Sequence, residues 1–163
     1  ADGRIPVSVR GHAPNREGWV ANPTHDPRGS ERAIWAARTN GTAAWRVAEG
    51  AGPELSPDGK MVLYTRDGQI YRARIGQNIV PDSMDRGLKP FIRQWGTQSA
   101  PRWSPDGTRI AFVSNRGDHS FIALYDVRSR RVDYVAPSVD CDAGPVWSPD
   151  GRQIAFTRRS GPQ

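Results

Sequence analysis

Pro101-Arg102-Trp103-Ser104-Pro105-Asp106-Gly107-Thr108-Arg109-Ile110-Ala111-Phe112 carries most of the structural information in this chain. Its centre recurs as Ser56-Pro57-Asp58-Gly59, 48 residues earlier, and as Ser148-Pro149-Asp150-Gly151, 44 residues later. The flanks recur as well. Pro53-Glu54-Leu55 and Pro145-Val146-Trp147 stand where Pro101-Arg102-Trp103 does, and Val62-Leu63-Tyr64 and Ile154-Ala155-Phe156 stand where Ile110-Ala111-Phe112 does. Internal repetition has to be read before any single residue, because it changes the meaning of every motif inside it. Ser-Pro-Asp-Gly is turn chemistry: Pro presets φ near about −65°, Asp suits the third position, and Gly accepts the positive φ that closes the turn. Asp58, Asp106 and Asp150 are therefore read as turn residues. A catalytic group is needed once, whereas a turn residue is needed in every repeat.

Working outward from the turns, each period has room for four short strands bounded by Gly, Pro, Asp, Asn or Ser. In the best-defined copy these are residues 100–103, 108–114, 121–126 and 131–136. The preceding copy offers 53–55, 60–66, 69–74 and 91–95. Further upstream, 4–10, 33–38 and 44–48 read as the second, third and fourth strands of an earlier unit, with Thr39-Asn40-Gly41-Thr42 as a turn. Downstream, 145–147 and 152–158 open another. A four-stranded period of ~40–50 residues is the mark of a β-propeller blade, since one small twisted sheet cannot bury both of its faces alone. The expectation is an all-β chain made of part of an unclosed propeller: a blade remnant over 1–50, blades over 51–98 and 99–143, and a blade start over 144–163.

Composition narrows the function. The chain has 163 residues, with 17 Gly and 14 Pro, which favours turns and short strands over long helices. No apolar run approaches the ~18–20 residues of a membrane-spanning helix, and residues 1–10 contain no apolar core like that of a signal peptide. The one Cys, Cys141, excludes an internal disulfide framework and a multi-Cys zinc site. The formal net charge is +6. Yet the 21 Arg and two Lys are spread among 17 acids, and the densest cluster, Arg128, Arg130 and Arg131, falls in a connecting turn. A nucleic-acid reader concentrates its charge on one face or helix. No nucleic-acid partner, cofactor or metal is implied.

At this point the residues carry a resemblance. Pro-x-Trp-Ser-Pro-Asp-Gly-x-x-Ile-Ala-Phe at 101–112 and 145–156 resembles the repeat of TolB-like propellers. So do Ser114-Asn115-Arg116, Phe121-Ile122-Ala123-Leu124-Tyr125-Asp126, and Ile34-Trp35 followed by Thr39-Asn40-Gly41. That repeat occurs in TolB and related periplasmic binding proteins, and in the N-terminal propellers of prolyl oligopeptidase-family serine peptidases of the dipeptidyl aminopeptidase and acylaminoacyl peptidase types. The long segments 11–29 and 77–89, with Gln94-Trp95-Gly96 and Asp118-His119-Ser120-Phe121-Ile122, look more like the peptidase propellers. The resemblance implies a partner, a C-terminal α/β-hydrolase domain of the same parent chain, with peptides as substrates. It also favours an extracytoplasmic setting. No Gly-x-Ser-x-Gly nucleophile elbow is present, so the chain itself is read as non-catalytic, a cap that filters substrates; the alternative is a TolB-like protein-binding propeller. A propeller enzyme with its site in the central channel would need acids or His on the innermost strands, where only Glu54 and Arg102 are chargeable.

Strand order also sorts the loops by face. The three Ser-Pro-Asp-Gly turns share one face with 128–131, and the opposite face carries 115–120 and 137–144. There Arg116, Asp118 and His119 are expected near Asp140, Cys141 and Asp142. Asp140 and Asp142 have two main readings: acidic contacts for a peptide's N-terminal ammonium, or caps on backbone amides within a loop. Arg116, Asp118 and His119 are further substrate-contact candidates. A metal site from His119, Asp140, Cys141 and Asp142 would match no standard ligand spacing. Trp103 and Trp147 occupy the Leu55 position of their repeats and are read as packing between blades; Trp19 is the better candidate for an exposed aromatic contact, although it too is read first as buried against the blade.

Overall fold

In the computed structural model the described residues are 4–10, 32–40, 44–76 and 89–160. Residues 11–29 with His12, Trp19 and His25, the segment 77–88, and Gly41 and Thr42 of the predicted turn lie outside them. Twelve strands are present and no helix occurs among the described residues: β1 (Arg4–Arg10), β2 (Arg32–Arg38), β3 (Trp45–Glu49), β4 (Ala51–Leu55), β5 (Met61–Arg66), β6 (Gln69–Arg74), β7 (Thr97–Trp103), β8 (Arg109–Asn115), β9 (Ser120–Asp126), β10 (Val132–Val135), β11 (Cys141–Trp147) and β12 (Ile154–Arg159). They form antiparallel meanders in the orders β1-β2-β3, β4-β5-β6 and β7-β8-β9-β10. The pair β11–β12 follows, joined to β9 by a single parallel bridge, Cys141 to Ser120.

Side chains alternate across each strand, so each sheet has two faces to cover. On β5, Val62 and Tyr64 turn toward Ile34, Ala36, Val47 and Ala48 of the first sheet, with Leu55 packed alongside. Leu63, between them in sequence, turns the other way and meets Ile110, Phe112, Ala123 and Tyr125 of the third sheet, together with Ile70 and Ile92. The middle sheet is thus buried from both sides. Leu63, Ile70, Ile110 and Phe112 are fully buried, and each such side chain stabilises by up to about 1.5–3 kcal/mol. Trp103 packs into the second of these cores, and Trp147 donates its Nε1–H to the Arg102 carbonyl at 3.0 Å while Arg109 lies over its ring. Both tryptophans pack between sheets, as their equivalence to Leu55 leads one to expect.

Three boundaries differ from the sequence reading in the same way. The first strands begin at Ala51, Thr97 and Cys141, upstream of the predicted 53, 100 and 145. Each contains a register shift, between Ala51 and Glu54, Ser99 and Arg102, and Ala143 and Val146. At each shift one residue has positive φ, Gly52 (62°), Ala100 (48°) and Gly144 (61°), followed directly by Pro53, Pro101 and Pro145. A bulge lets the strand continue past a Pro that cannot donate to the ladder, so Gly-Pro, and Ala-Pro at 100–101, marks a bend within a strand, not its start. The predicted strand at 91–95 is also corrected. Only Ile92 pairs, with Ile70, because Pro90 lacks an N–H and the Gln94 N–H goes to the Gln69 side chain at 3.2 Å.

The Ser-Pro-Asp-Gly turns are the same object three times. The Ser hydroxyl donates to the Asp carboxylate at 2.5, 2.6 and 2.6 Å in turn order. It accepts the N–H five residues on at 2.9 Å in all three. The Asp accepts the N–H of Lys60, Thr108 or Arg152, and the Gly sits at φ 68°, 70° or 69°. These hydrogen bonds hold the three carboxyls below the usual aspartate range, Asp106 at about 2.

Two expectations follow. Ala100 is an L-residue in a left-handed conformation that costs it roughly 1–2 kcal/mol. Ala100→Gly should therefore leave stability unchanged or raise it by up to ~1 kcal/mol, whereas Ala111→Gly in regular buried strand should lower it by about 1 kcal/mol or more, both read from urea denaturation. An acid whose folded pKa lies below its unfolded value gives stability that is complete above the unfolded pKa, about 3.9 for Asp, and is lost as pH falls through the folded one. The thermal midpoint should drop between about pH 4 and pH 2, and Asp106→Asn should flatten that drop.

Candidate functional site

The face opposite the Ser-Pro-Asp-Gly turns is formed by the β5–β6 and β8–β9 connections and by the links that lead into β7 and β11. The β5–β6 connection is minimal: Asp67 and Gly68, both at positive φ, make the two-residue hairpin that matches strand twist. The β8–β9 connection is longer, because Arg116-Gly117-Asp118-His119 intervenes before Ser120. Its Arg116 N–H donates to the His119 carbonyl at 2.9 Å, and Asn115 Oδ1 accepts the Gly117 N–H at 2.7 Å. The loop is thereby a closed turn that carries charged side chains outward.

The predicted residues come together, with different fates. Ser120 donates its N–H to the Asp140 carbonyl at 3.1 Å and its hydroxyl to the Asp142 carbonyl at 2.7 Å, stitching the two loops. The Cys141 thiol lies 3.7 Å from the Asp118 carbonyl oxygen. Asp118 is exposed, and its carboxylate meets His119 Nδ1 at 2.6 Å, which draws the Asp118 pKa down. Asp140 caps its own loop: its N–H donates to Ser138 Oγ and its carboxylate accepts from the same hydroxyl. Asp142, expected in a link, lies on β11 and is buried to 1% exposure. Arg158, its cross-strand partner on β12, donates Nε–H at 2.7 Å and Nη2–H at 2.9 Å to its two oxygens, and a further Nη2–H to the Ala136 carbonyl. This bidentate pair raises the Arg158 pKa. Asp142 has no oxygen left facing solvent, so its side chain ties β11 to β12.

Sequence reasoning did not foresee the surface that adjoins this cluster. Arg116 sits between two rings, 5.3 Å from the Trp95 centroid and 5.9 Å from that of Tyr134. It donates to the Trp95 carbonyl at 2.8 Å and to the Tyr134 hydroxyl at 2.7 Å. Tyr134 meets Phe121 edge-on at 5.5 Å, and Phe121 meets His119 at 4.8 Å. Trp95 remains 74% exposed. Trp95, Arg116, Tyr134, Phe121, His119 and Asp118 thus form one continuous strip. Their sequence separations, from one to 39 residues, gave no local signal. Beside it a groove of about 530 Å³ runs between β7–β8 and β11–β12, lined in part by His119, Cys141 and Arg159. Among the described residues the His119 ring bonds to no Ser or Cys, and no three His, Cys, Asp or Glu side chains converge as metal ligands. No helix among them is long and apolar enough to cross a membrane.

No family model matches the chain, and no curated protein does. Solved structures do. TolB from Acinetobacter baumannii matches with TM-score 0.60 and 26% identity, over 80% of this chain and 33% of that one. The β-propeller domain of the trilobed protease from Pyrococcus furiosus, described as having an open velcro topology, matches with TM-score 0.59 and 15% identity, over 94% of this chain and 45% of that one. The tricorn protease matches with TM-score 0.53 and 12% identity, over 78% of this chain and 13% of that one. The chain therefore spans half or less of the length of these structures. Its fold is that of consecutive antiparallel β-propeller blades, TolB-like in their repeat, that do not close.

Asp142 is buried, whereas the Arg158 side chain is 34% exposed and also has Asp140 at 4.0 Å, so losing the Asp142 charge leaves a solvated guanidinium and costs chiefly the hydrogen bonds of the carboxylate. Asp142→Asn should accordingly lower the midpoint of chemical denaturation, since a buried carboxylate loses its bidentate contact with Arg158, whereas Asp118→Asn, at an exposed pair, should leave that midpoint where it was.

Proposed function

We propose that this chain is the non-catalytic propeller portion of a prolyl oligopeptidase-family serine peptidase, lining and gating the path of peptides to an α/β-hydrolase domain of the parent protein. The observation that supports it best is the asymmetry of the two faces. On the turn face, every Ser-Pro-Asp-Gly carboxylate is spent on its own turn. On the loop face, Trp95 and Asp118 stand exposed at the surface, and His119 beside them lines a groove. Aromatic and charged groups around a mouth select and steer peptide termini without breaking bonds. The blade division proposed for the parent is 51–98 and 99–143, flanked by partial units at 1–50 and 144–163. Asp140 and Asp142 fit this reading as the scaffold beneath the strip, with Arg116, Asp118 and His119 as the substrate-contact candidates.

A second reading is a TolB-like propeller that docks a protein through the same face. It is favoured by one observation: the identity to TolB, 26%, exceeds that to either protease. Both readings suit an extracytoplasmic protein. In the full-length parent, the double variant Asp118→Asn with His119→Ala should change kcat/KM for free-amine peptides by about threefold or more, with small ester substrates unaffected. Equal loss on both substrate types would make the strip structural. A reading frame that continues past Gln163 without a Gly-x-Ser-x-Gly hydrolase domain would overturn the peptidase reading in favour of the second.

A further inference from the structure

On the turn face, between the second and third sheets, lies a cleft of about 350 Å³ lined by Arg72, Lys89, Pro90, Phe91, Tyr125 and Arg130. We propose that it binds a small oxyanion of phosphate type, either free or as an organic ester. Three cations reach it from three separate elements: Arg72 from β6, Lys89 from the segment before Ile92, and Arg130 from the β9–β10 turn. No acid lines it.

The way these cations are held sets them apart. Arg46, Arg102, Arg131 and Arg158 each pair with a carboxylate. Among the described residues Arg72, Lys89 and Arg130 have no acidic partner. The Arg72 guanidinium is positioned by a ring instead, 4.1 Å above the centroid of Phe91, and Phe91 is braced edge-on against Tyr125 at 5.5 Å. Stacking fixes the guanidinium plane and leaves its N–H fork free for an oxyanion. Arg130 is locked at φ 60°, its N–H donated to the Asp126 carbonyl at 2.8 Å. The two nearest acids in sequence are engaged elsewhere: Asp133 pairs with Arg131 at 3.4 Å, and Asp126 spends its carboxylate on the N–H and hydroxyl of Ser129.

Three exposed positive charges converge on a cleft that Phe91 and Tyr125 also line, and an anion placed among them is attracted to all three. A dianion with three or four oxygens matches three cations better than a single carboxylate does, and the forked donors of two arginines suit it geometrically. The volume accommodates one such group with a small organic substituent. The rings offer that substituent an apolar surface.

The test is a titration of the isotopically labelled 163-residue chain, followed by amide NMR shifts at constant ionic strength, with inorganic phosphate, phenyl phosphate and sodium chloride as separate arms. The expected result is saturable shifts at Phe91, Tyr125 and Arg130 with a Kd of about 1 mM or tighter. Arg130→Gln and Arg72→Gln should each weaken binding about tenfold. Tighter binding of phenyl phosphate identifies an ester as the ligand, and tighter binding of inorganic phosphate identifies the free ion. If Arg72→Gln loses its dispersed spectrum, Lys89→Gln takes its place, since Lys89 is exposed. Absence of saturation, equal shifts with chloride, or unchanged affinity in the folded variants would overturn the proposal.

Discussion

A sheet of three strands that is apolar on both faces has to be covered twice, and that requirement organises this molecule. Val62 and Tyr64 need the first sheet on one side, and Leu63 needs the third on the other, although the three residues are adjacent on one strand. Neither neighbour is optional, because leaving either face in water would forfeit burial of several large side chains. Stacking in series is the arrangement that satisfies this requirement for every unit at once, and the blade repeat is the sequence record of that demand.

Stacking in series works only if successive sheets present their faces in the same way. The turn supplies that regularity. In each copy the Ser hydroxyl bridges the Asp carboxylate and the N–H five residues on, so the first and second strands leave the turn with one geometry. The bulge at Gly52, Ala100 and Gly144 is the second invariant, bending each first strand just before its Pro. Ala100 shows that the backbone conformation is imposed by the fold and not by the residue, since an alanine accepts a left-handed φ there.

With the scaffold regular, the differences between repeats become the places where function can reside. The β5–β6 hairpin is as short as a hairpin allows, while the equivalent connection after β8 carries Arg116, Asp118 and His119 out to Trp95 and Tyr134. The same contrast separates two acids that look alike on paper. Asp118 stays in solvent with a histidine partner, whereas Asp142, two residues from the loop acid Asp140, is drawn under the surface by strand pairing with Arg158. A carboxylate held by both oxygens against a guanidinium serves cohesion. One exposed on a loop can meet a ligand.

The strands, the turns, the packing role of Trp103 and Trp147, and the assignment of loops to faces were legible in the residues alone. All of these depend on local chemistry: hydrophobic alternation, the φ preferences of Pro and Gly, and a hydroxyl and a carboxylate two positions apart. The first-strand boundaries were not legible, because a Pro after Gly52, Ala100 or Gly144 has the same local signature at a bulge as at a strand end. The lone bridge at Ile92 was hidden for a similar reason, since the Gln69 side chain that takes the Gln94 N–H lies 25 residues away. The burial of Asp142, the strip from Trp95 to Asp118, and the convergence of Arg72, Lys89 and Arg130 all required the stacked sheets. Each joins residues from different strands or different blades, and the free energy that brings them together belongs to the burial of sheet faces, not to any segment that contains them. The repeating unit is thus written in local residue preferences, whereas the stacking of the sheets settles which charges face water, which face each other, and which converge on one cleft.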